Sequence, residues 1–133
     1  MRALFADTFY FLALLNQNDR AFPKALFYSR LPQLRLVTTD YVLIELGDAL
    51  NKPPLRDDFV SLYEVLHQSP AFQIVPAQKS VLQRGVKLYK RRKDKEWQLT
   101  DCISFVVMEE FGITDALTGD RHFEQAGFNA LLK

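Results

Sequence analysis

The sequence has few of the residues from which disulfide frameworks, membrane spans and nucleotide-binding loops are built. Cys102 is the only cysteine, which excludes a disulfide within the chain and a zinc site made of thiolates. The sequence has no run of about 18 uncharged apolar residues, so no membrane-spanning helix is expected. The five glycines, at 47, 85, 112, 119 and 127, form no glycine-rich phosphate loop, which argues against nucleotide triphosphate and dinucleotide binding.

The length and the composition indicate one compact domain. The chain has 133 residues, of which 48% are apolar and 25% are charged. Two domains of half this length would each lie near the lower limit for a self-sufficient core, so we expect a single domain over residues 1–133. The short apolar N-terminus ends in Asp7 instead of a signal-peptide cleavage site, and a cytoplasmic location is therefore expected.

The charges are unevenly distributed along the chain. The formal net charge is only +1. Residues 84–95 nevertheless contain seven basic residues against one acid, Asp94, so this basic segment carries +6 and the rest of the chain carries −5. A segment of this kind favours contact with a phosphate backbone. The alternative is a solvated helix end, where basic residues complement the helix dipole.

Apolar periodicity and helix-breaking residues divide the chain into alternating strands and helices. We expect strands at 2–6, 34–37, 72–75, 113–118 and 128–132. We expect helices at 8–15, 19–28, 55–68, 78–92, 100–111 and 120–126, and another that Thr39 caps and that runs to about residue 50. Strands that are apolar throughout and alternate with helices predict an α/β fold with three layers, in which helices cover a parallel sheet of about five strands. Ligands of such sheets bind at the carboxyl ends of the strands.

Four acidic residues stand out by their positions in these elements. Asp7 and Asp120 directly follow expected strands, and Asp101 opens an expected helix. Each also fits a structural role, since Asp caps helices and acids in a first turn complement the helix dipole. Glu45 lies within an apolar helix, where a carboxylate needs a partner, a cation, or exposure on a narrow polar strip with Asp48.

Convergence of these four carboxylates would produce strong mutual repulsion. A divalent cation would relieve that repulsion. Oxygen ligands without a cluster of histidines or cysteines favour Mg²⁺ or Mn²⁺ over zinc. Such ions, held by a few carboxylates and several waters, usually act on phosphates.

Three stretches of the sequence resemble the PIN-domain family of metal-dependent ribonucleases, especially its small VapC-like toxins. The first, residues 4–8, is a strand that ends in Asp7, and the second, residues 37–45, is a strand and helix that lead to Glu45. The third and most specific comprises residues 94–105 and 113–123, which contain Asp101 and Asp120. The resemblance extends over essentially the whole chain in length and in the order of elements.

This resemblance implies a catalytic and metal-binding site made of Asp7, Glu45, Asp101 and Asp120, with no departure at the four acids. It implies hydrolysis of RNA phosphodiester bonds with one or two Mg²⁺ or Mn²⁺ ions. Hydrogen bonds around the acids are expected from three hydroxyl side chains, namely Thr8, Ser104 and Thr118. Asp115 competes with Asp120 for the last position, but by strand periodicity it shares a face with Ile113 and Leu117.

The resemblance also implies partners. RNA contacts are expected from basic residues of the segment 84–95, namely Lys87, Lys90, Arg91, Arg92, Lys93 and Lys95. Relatives of the toxin type form homodimers and bind an antitoxin protein. The helix at 8–15 is apolar on all sides, so it is either deeply buried or part of a partner interface, and the helix at 55–68 offers another such surface.

Two other functions remain open. A PIN fold without catalysis would serve as an RNA- or protein-binding module. A phospho-receiver domain would require a lysine after a late strand, and none follows the strand that leads to Asp120. His122 has no spacing typical of a metal site. Beside Asp120 it is a candidate for contact with substrate, but a position on a helix surface is expected. Trp97 is expected to pack rather than to stack on a base.

Overall fold

The computed structural model describes residues 2–133 as five strands and seven helices in alternation. The strands are β1 (Arg2–Ala6), β2 (Leu34–Thr39), β3 (Phe72–Val75), β4 (Asp115–Leu117) and β5 (Asn129–Ala130). The helices are α1 (Thr8–Leu14), α2 (Phe22–Ser29), α3 (Asp40–Ala49), α4 (Leu55–Gln68), α5 (Lys79–Arg91), α6 (Leu99–Glu110) and α7 (Arg121–Gln125). No helix among the described residues combines the length and the apolar character that crossing a bilayer requires.

All strand pairs in the sheet are parallel, in the order β3-β2-β1-β4-β5. β1 is the central strand. β2 and β3 lie in succession on one side of it, and β4 and β5 lie in succession on the other. The carboxyl ends of β1 and β4 therefore flank the point where the strand order reverses, which is where open α/β sheets bind ligands. The predicted α/β fold is confirmed.

Several element boundaries differ from the sequence-based expectation. β2 continues to Thr39 because Thr38 and Thr39 still pair with β3. Thr39 also caps α3, as expected, since its hydroxyl accepts a hydrogen bond from the Val42 N–H at 3.1 Å. α2 begins later than expected, because the Asp19 carboxylate accepts the Ala21 N–H at 2.8 Å and holds residues 19–21 in a turn. β4 and β5 are shorter than expected.

The core lies between the sheet and its helices. The central strand contributes three fully buried residues, Leu4, Phe5 and Ala6. α6 is mostly buried, and Phe105 on it packs edge to face against Trp97 and Phe123. α1 is also mostly buried, so its apolar sequence is explained by the core and does not require a partner.

Two glycines permit close approaches that position the site. A Cβ at Gly119 would lie 2.5 Å from the ring of Phe9, so only glycine lets the segment after β4 lie against α1 without displacing that ring. A Cβ at Gly85 would collide with the side chain of Ile103, and its absence lets α5 pack tightly on α6. This packing carries the basic segment towards the N-terminal end of α6, where Asp101 lies.

Candidate active site at the carboxyl ends of the strands

The first acid of the site, Asp7, follows the central strand. It occupies the N-cap position of α1, yet its side chain makes no capping hydrogen bond, so the capping role does not account for it. Its carboxylate is 6% exposed and accepts a hydrogen bond from the Thr118 hydroxyl at 2.8 Å. Thr118 directly follows β4, whose last residue pairs with the last residue of β1. The parallel register thus brings Asp7 and Thr118 together.

The acid after β4, Asp120, has a structural role as well. Its Oδ1 accepts the backbone N–H of His122 at 2.9 Å and caps α7, as the sequence suggested. Its own N–H donates to the hydroxyl of Thr118 at 3.1 Å. One hydroxyl therefore donates to Asp7 and accepts from Asp120, and so fixes the spacing of the two strand ends.

Asp101 lies in the first turn of α6 and is 8% exposed. Its Oδ2 accepts the backbone N–H of Gln98 at 3.2 Å, which completes a capping box. The same oxygen lies 3.2 Å from Nδ1 of His122. Asp101 therefore both caps the start of α6 and lies close to the other side chains of the site.

Glu45 does not lie on an exposed strip with Asp48. Asp48 is exposed, whereas Glu45 is half-buried and faces α1. Its Oε1 accepts a hydrogen bond from the Thr8 hydroxyl, and the two oxygens lie 2.5 Å apart. Because Thr8 is adjacent to Asp7, this hydrogen bond holds Glu45 at the same edge of the sheet. The partner that a carboxylate in an apolar helix needs is thus Thr8.

The four acids interact electrostatically. Burial raises the pKa of Asp7 to about 7, and the negative charges of Asp101 and Glu45 raise it as well. The hydrogen bond from Thr118 lowers this pKa and so opposes them in part. Burial also raises the pKa of Asp101, and the charge of Asp120 acts in the same direction. Within residues 2–133, no lysine or arginine forms an ion pair with any of the four.

A divalent cation fits this donor set. Buried carboxylates that repel one another are stabilised in their charged form by a cation between them. One ligand atom from each of Asp101, Asp120 and His122 lies within 4.8 Å of the other two. The donors are oxygens and one imidazole nitrogen, which suits a small divalent ion.

Two of the residues predicted from the sequence lie outside this network. Ser104 is buried on α6, but its hydroxyl has no hydrogen-bond partner among the described residues. Asp115 lies at the amino end of β4, where Arg2 and Asn129 bind it at 2.9 and 2.8 Å. Asp115 is thus at the opposite edge of the sheet, and the two contacts lower its pKa.

His122 is the residue that the sequence interpretation underrated. Its side chain is 20% exposed, and it contacts Asp101 across α6 and α7 instead of lying on the surface. The sequence did contain a signal for this position, because His122 comes two residues after Asp120, an expected helix cap. A residue at that place lies in the first turn of α7, next to the side chain of Asp120.

The basic segment borders the site through a cleft of about 440 Å³. Arg92, Lys93 and Lys95 line it, together with Gln98, which binds Asp101. The other predicted RNA-contacting residues are exposed on or just after α5, namely Lys87, Lys90 and Arg91. Trp97 is 6% exposed and donates its indole N–H to Gln125 at 3.0 Å, so it packs as expected.

A second cleft, of about 480 Å³, borders the site on the side of α1. Phe9 and Gly119, which are neighbours of Thr8 and Asp120, form part of its lining, and Arg20 and Lys24 add positive charge. The sequence did not single out these two basic residues because they stand apart from the basic segment. Positive charge therefore flanks the acids on two sides.

Comparisons with known proteins agree with this fold. The family model of the PIN domain matches residues 4–129. VapC20 of Mycobacterium tuberculosis, a toxin that cleaves the sarcin–ricin loop, is similar in structure, with a TM-score of 0.81 and 26% identity over 94% of this chain and 95% of that one. Among curated proteins, no sequence matches.

Two further structures share the fold. FitAcB from Neisseria gonorrhoeae has a TM-score of 0.67 and 19% identity, and coverage is 96% of both chains. VapBC2 from Rickettsia felis, bound to a DNA fragment from its promoter, has a TM-score of 0.68 and 12% identity, again with 96% of both chains covered. Since the PIN model matches nearly the whole chain, this protein belongs to the PIN domain family.

Proposed function

We propose that this protein is an endoribonuclease that hydrolyses RNA phosphodiester bonds with Mg²⁺ or Mn²⁺, and that it is the toxin of a toxin–antitoxin pair. The observation that carries the proposal is the convergence of Asp7, Glu45, Asp101 and Asp120 at the reversal point of the sheet. Membership of the PIN family supports the nuclease activity, and these four acids are the ones that the sequence resemblance assigns to the active site of that family.

The four acids would divide the work by their burial. Asp7 and Asp101, which are buried, would hold a first cation, and the half-buried Asp120 would bind the same ion or a second one. Glu45, which is also half-buried, would bind an ion through water or orient the attacking water. When bound there, a divalent cation lowers the pKa of water and neutralises charge that develops on the attacked phosphate. Thr8 and Thr118 would keep Glu45 and Asp7 in place through the hydrogen bonds described above.

RNA would reach the acids from the basic clefts. The site is acidic, so it repels a phosphate backbone until a cation is present. Lys87, Lys90, Arg91, Arg92, Lys93 and Lys95 would compensate for this repulsion by binding phosphates on the α5 side. Arg92 also pairs with Asp94 at 3.0 Å and lies 5.0 Å from the ring of Trp97, so its position is more restricted than that of the exposed lysines.

The toxin role rests on the similarity to VapC20, and it implies an antitoxin protein, a cytoplasmic location and a homodimer. Expression of the chain alone and together with a small gene encoded next to it tests this role. Growth arrest that the neighbouring gene relieves is the expected result, and absence of arrest at every expression level contradicts it. Light scattering at micromolar concentration tests the dimer, and a monomer there contradicts it.

The nuclease activity is tested by RNA cleavage in Mn²⁺, in EDTA and with Asp101→Asn. We expect cleavage in Mn²⁺ only, and a loss of at least about a hundredfold in the variant. Asp115→Asn is the matched control, because it makes the same change at the opposite edge of the sheet and should keep wild-type activity. Cleavage that survives both EDTA and Asp101→Asn contradicts the mechanism, and RNA binding without cleavage identifies a binding module instead.

A further inference from the structure

His122 occupies a position that a bystander on a helix surface would not. Its Nδ1 lies 3.2 Å from Oδ2 of Asp101 and 3.5 Å from Oδ1 of Asp120. These two acids come from different elements, α6 and the start of α7. The imidazole therefore bridges the two halves of the acidic site.

The spacing of these groups fits a single ion. One ligand atom from each of the three residues lies within 4.8 Å of the others. Ligands at about 2.1 Å from a metal stand about 3 to 4.2 Å apart, depending on the angle between them. The observed contacts of His122 with the two acids fall in this range, so the side chains already have nearly the separation that coordination requires.

We infer that Nδ1 of His122 is a ligand of the cation, together with Asp101 and Asp120, and that the site therefore prefers a first-row transition-metal ion to Mg²⁺. This inference rests on the metal-dependent activity proposed above and extends it to the choice of ion. Mg²⁺ takes oxygen ligands almost exclusively, whereas imidazole nitrogen suits transition metals.

The contacts with Asp101 and Asp120 identify Nδ1 as the ring nitrogen that is placed to bind the ion. Coordination through Nδ1 uses the tautomer that carries its hydrogen on Nε2. In the absence of an ion, the other tautomer donates from Nδ1 to Asp101. The same side chain can therefore satisfy the acids before the ion arrives and bind the ion afterwards.

The chain has two histidines, which makes a direct spectroscopic test possible. His67 is exposed on α4, where its Nδ1 lies 2.8 Å from the carbonyl oxygen of Tyr63. Electron spin-echo envelope modulation detects imidazole nitrogen bound to Mn²⁺. We expect nitrogen modulation in the Mn²⁺-loaded wild type and in His67→Asn. We expect the nitrogen modulation to be lost in His122→Asn and in His122→Asp. The second variant supplies a carboxylate oxygen in place of the imidazole nitrogen and should therefore still bind Mn²⁺.

Titration calorimetry supplies a second readout. His122→Asn should weaken Mn²⁺ binding by at least about tenfold and leave Mg²⁺ binding within about twofold, because only the nitrogen donor is lost. Bound Mn²⁺ without nitrogen modulation overturns the inference, as do modulation that persists in both His122 variants, equal affinity of the wild type for the two ions, and absence of Mn²⁺ binding.

The experiment separates this inference from the proposed function. Nitrogen modulation in a protein that does not cleave RNA contradicts the nuclease and leaves the metal ligand in place. RNA cleavage with Mn²⁺ bound but without nitrogen modulation contradicts the ligand and leaves the nuclease in place. The spin-echo and calorimetric measurements are both made in the absence of RNA, so they do not depend on cleavage.

Discussion

The Thr118 hydroxyl donates a hydrogen bond to Asp7 at 2.8 Å, and this contact joins residues that are 111 positions apart in the sequence. It ties the carboxyl end of the central strand to that of its neighbour β4. The same hydroxyl accepts the N–H of Asp120, so the relative positions of two site acids depend on one oxygen atom.

Removal of this hydroxyl should therefore destabilise the fold and the site together. Thr118→Val keeps the shape but removes the hydroxyl that partners the buried Asp7 carboxylate and the Asp120 N–H, which should lower the free energy of unfolding by about 2 kcal/mol. The pKa of Asp7 should also rise above its value of about 7, because the hydrogen bond that lowers it is lost. Denaturant titration measures the first effect, and Thr118→Ser is the control, which should resemble the wild type. Equal stability of the two variants would contradict this role of the hydroxyl.

Ser104 should behave in the opposite way. Its buried hydroxyl has no partner among the described residues, so Ser104→Ala removes an unsatisfied polar group. We expect the variant to be more stable by about 1 kcal/mol and to cleave RNA as the wild type does. A loss of cleavage comparable to that of Asp101→Asn would show that Ser104 takes part in the site.

The stability of the metal-free protein should depend on pH through Asp7. Its pKa is about 7 in the fold and 3.8 in the reference state, so the folded state holds this proton more tightly than the unfolded state. The stabilisation is complete below about pH 4 and is lost as the pH rises to about 7, at a cost on the order of a few kcal/mol.

Asp7→Asn should abolish most of this dependence, and denaturant titrations from pH 4 to 8 measure it. Asp115→Asn is the control with the opposite sign, since the pKa of Asp115 is lowered and its contribution disappears only as the pH falls. An unchanged pH profile in Asp7→Asn would contradict the assignment. A divalent cation should restore stability to the wild type at pH 8, because it relieves the repulsion between the charged acids.

The basic segment should contribute a salt-dependent part of RNA binding. Replacement of Lys90, Arg91 and Lys93 by Gln removes three exposed charges. Because each phosphate contact adds about 0.7 to the salt slope for a single strand, the slope of log K against log salt should decrease by about 2.

The control for that variant replaces basic residues that lie outside the two basic clefts. Lys52 and Arg56 are exposed between the end of α3 and the first turn of α4, and neither lines a cleft beside the acids. Their replacement by Gln should leave the slope unchanged. Equal slopes in the wild type and the triple variant would assign RNA binding to another surface, such as the cleft of Arg20 and Lys24.

Much of the fold could be predicted because its signals are local. Strand and helix positions follow from apolar spacing within single segments, and Thr39 was identified as a helix cap from its immediate neighbours. The errors occurred at boundaries that depend on contacts with other segments: β2 is extended by its pairing with β3, and α2 starts late because Asp19 stabilises a turn. The site was predictable in part, since Asp7 and Asp120 stand at strand ends.

By itself, the sequence determined which segments are strands and helices and which acids follow the strands, since these properties depend on neighbouring residues. The tertiary structure decided the strand order, and with it the pairing of Asp7 with Thr118. It also turned Glu45 towards Thr8, brought His122 against Asp101 and left Asp115 at the other edge of the sheet. The physical reason is that each of these outcomes depends on contacts between segments 21 to 113 residues apart, which no local pattern specifies.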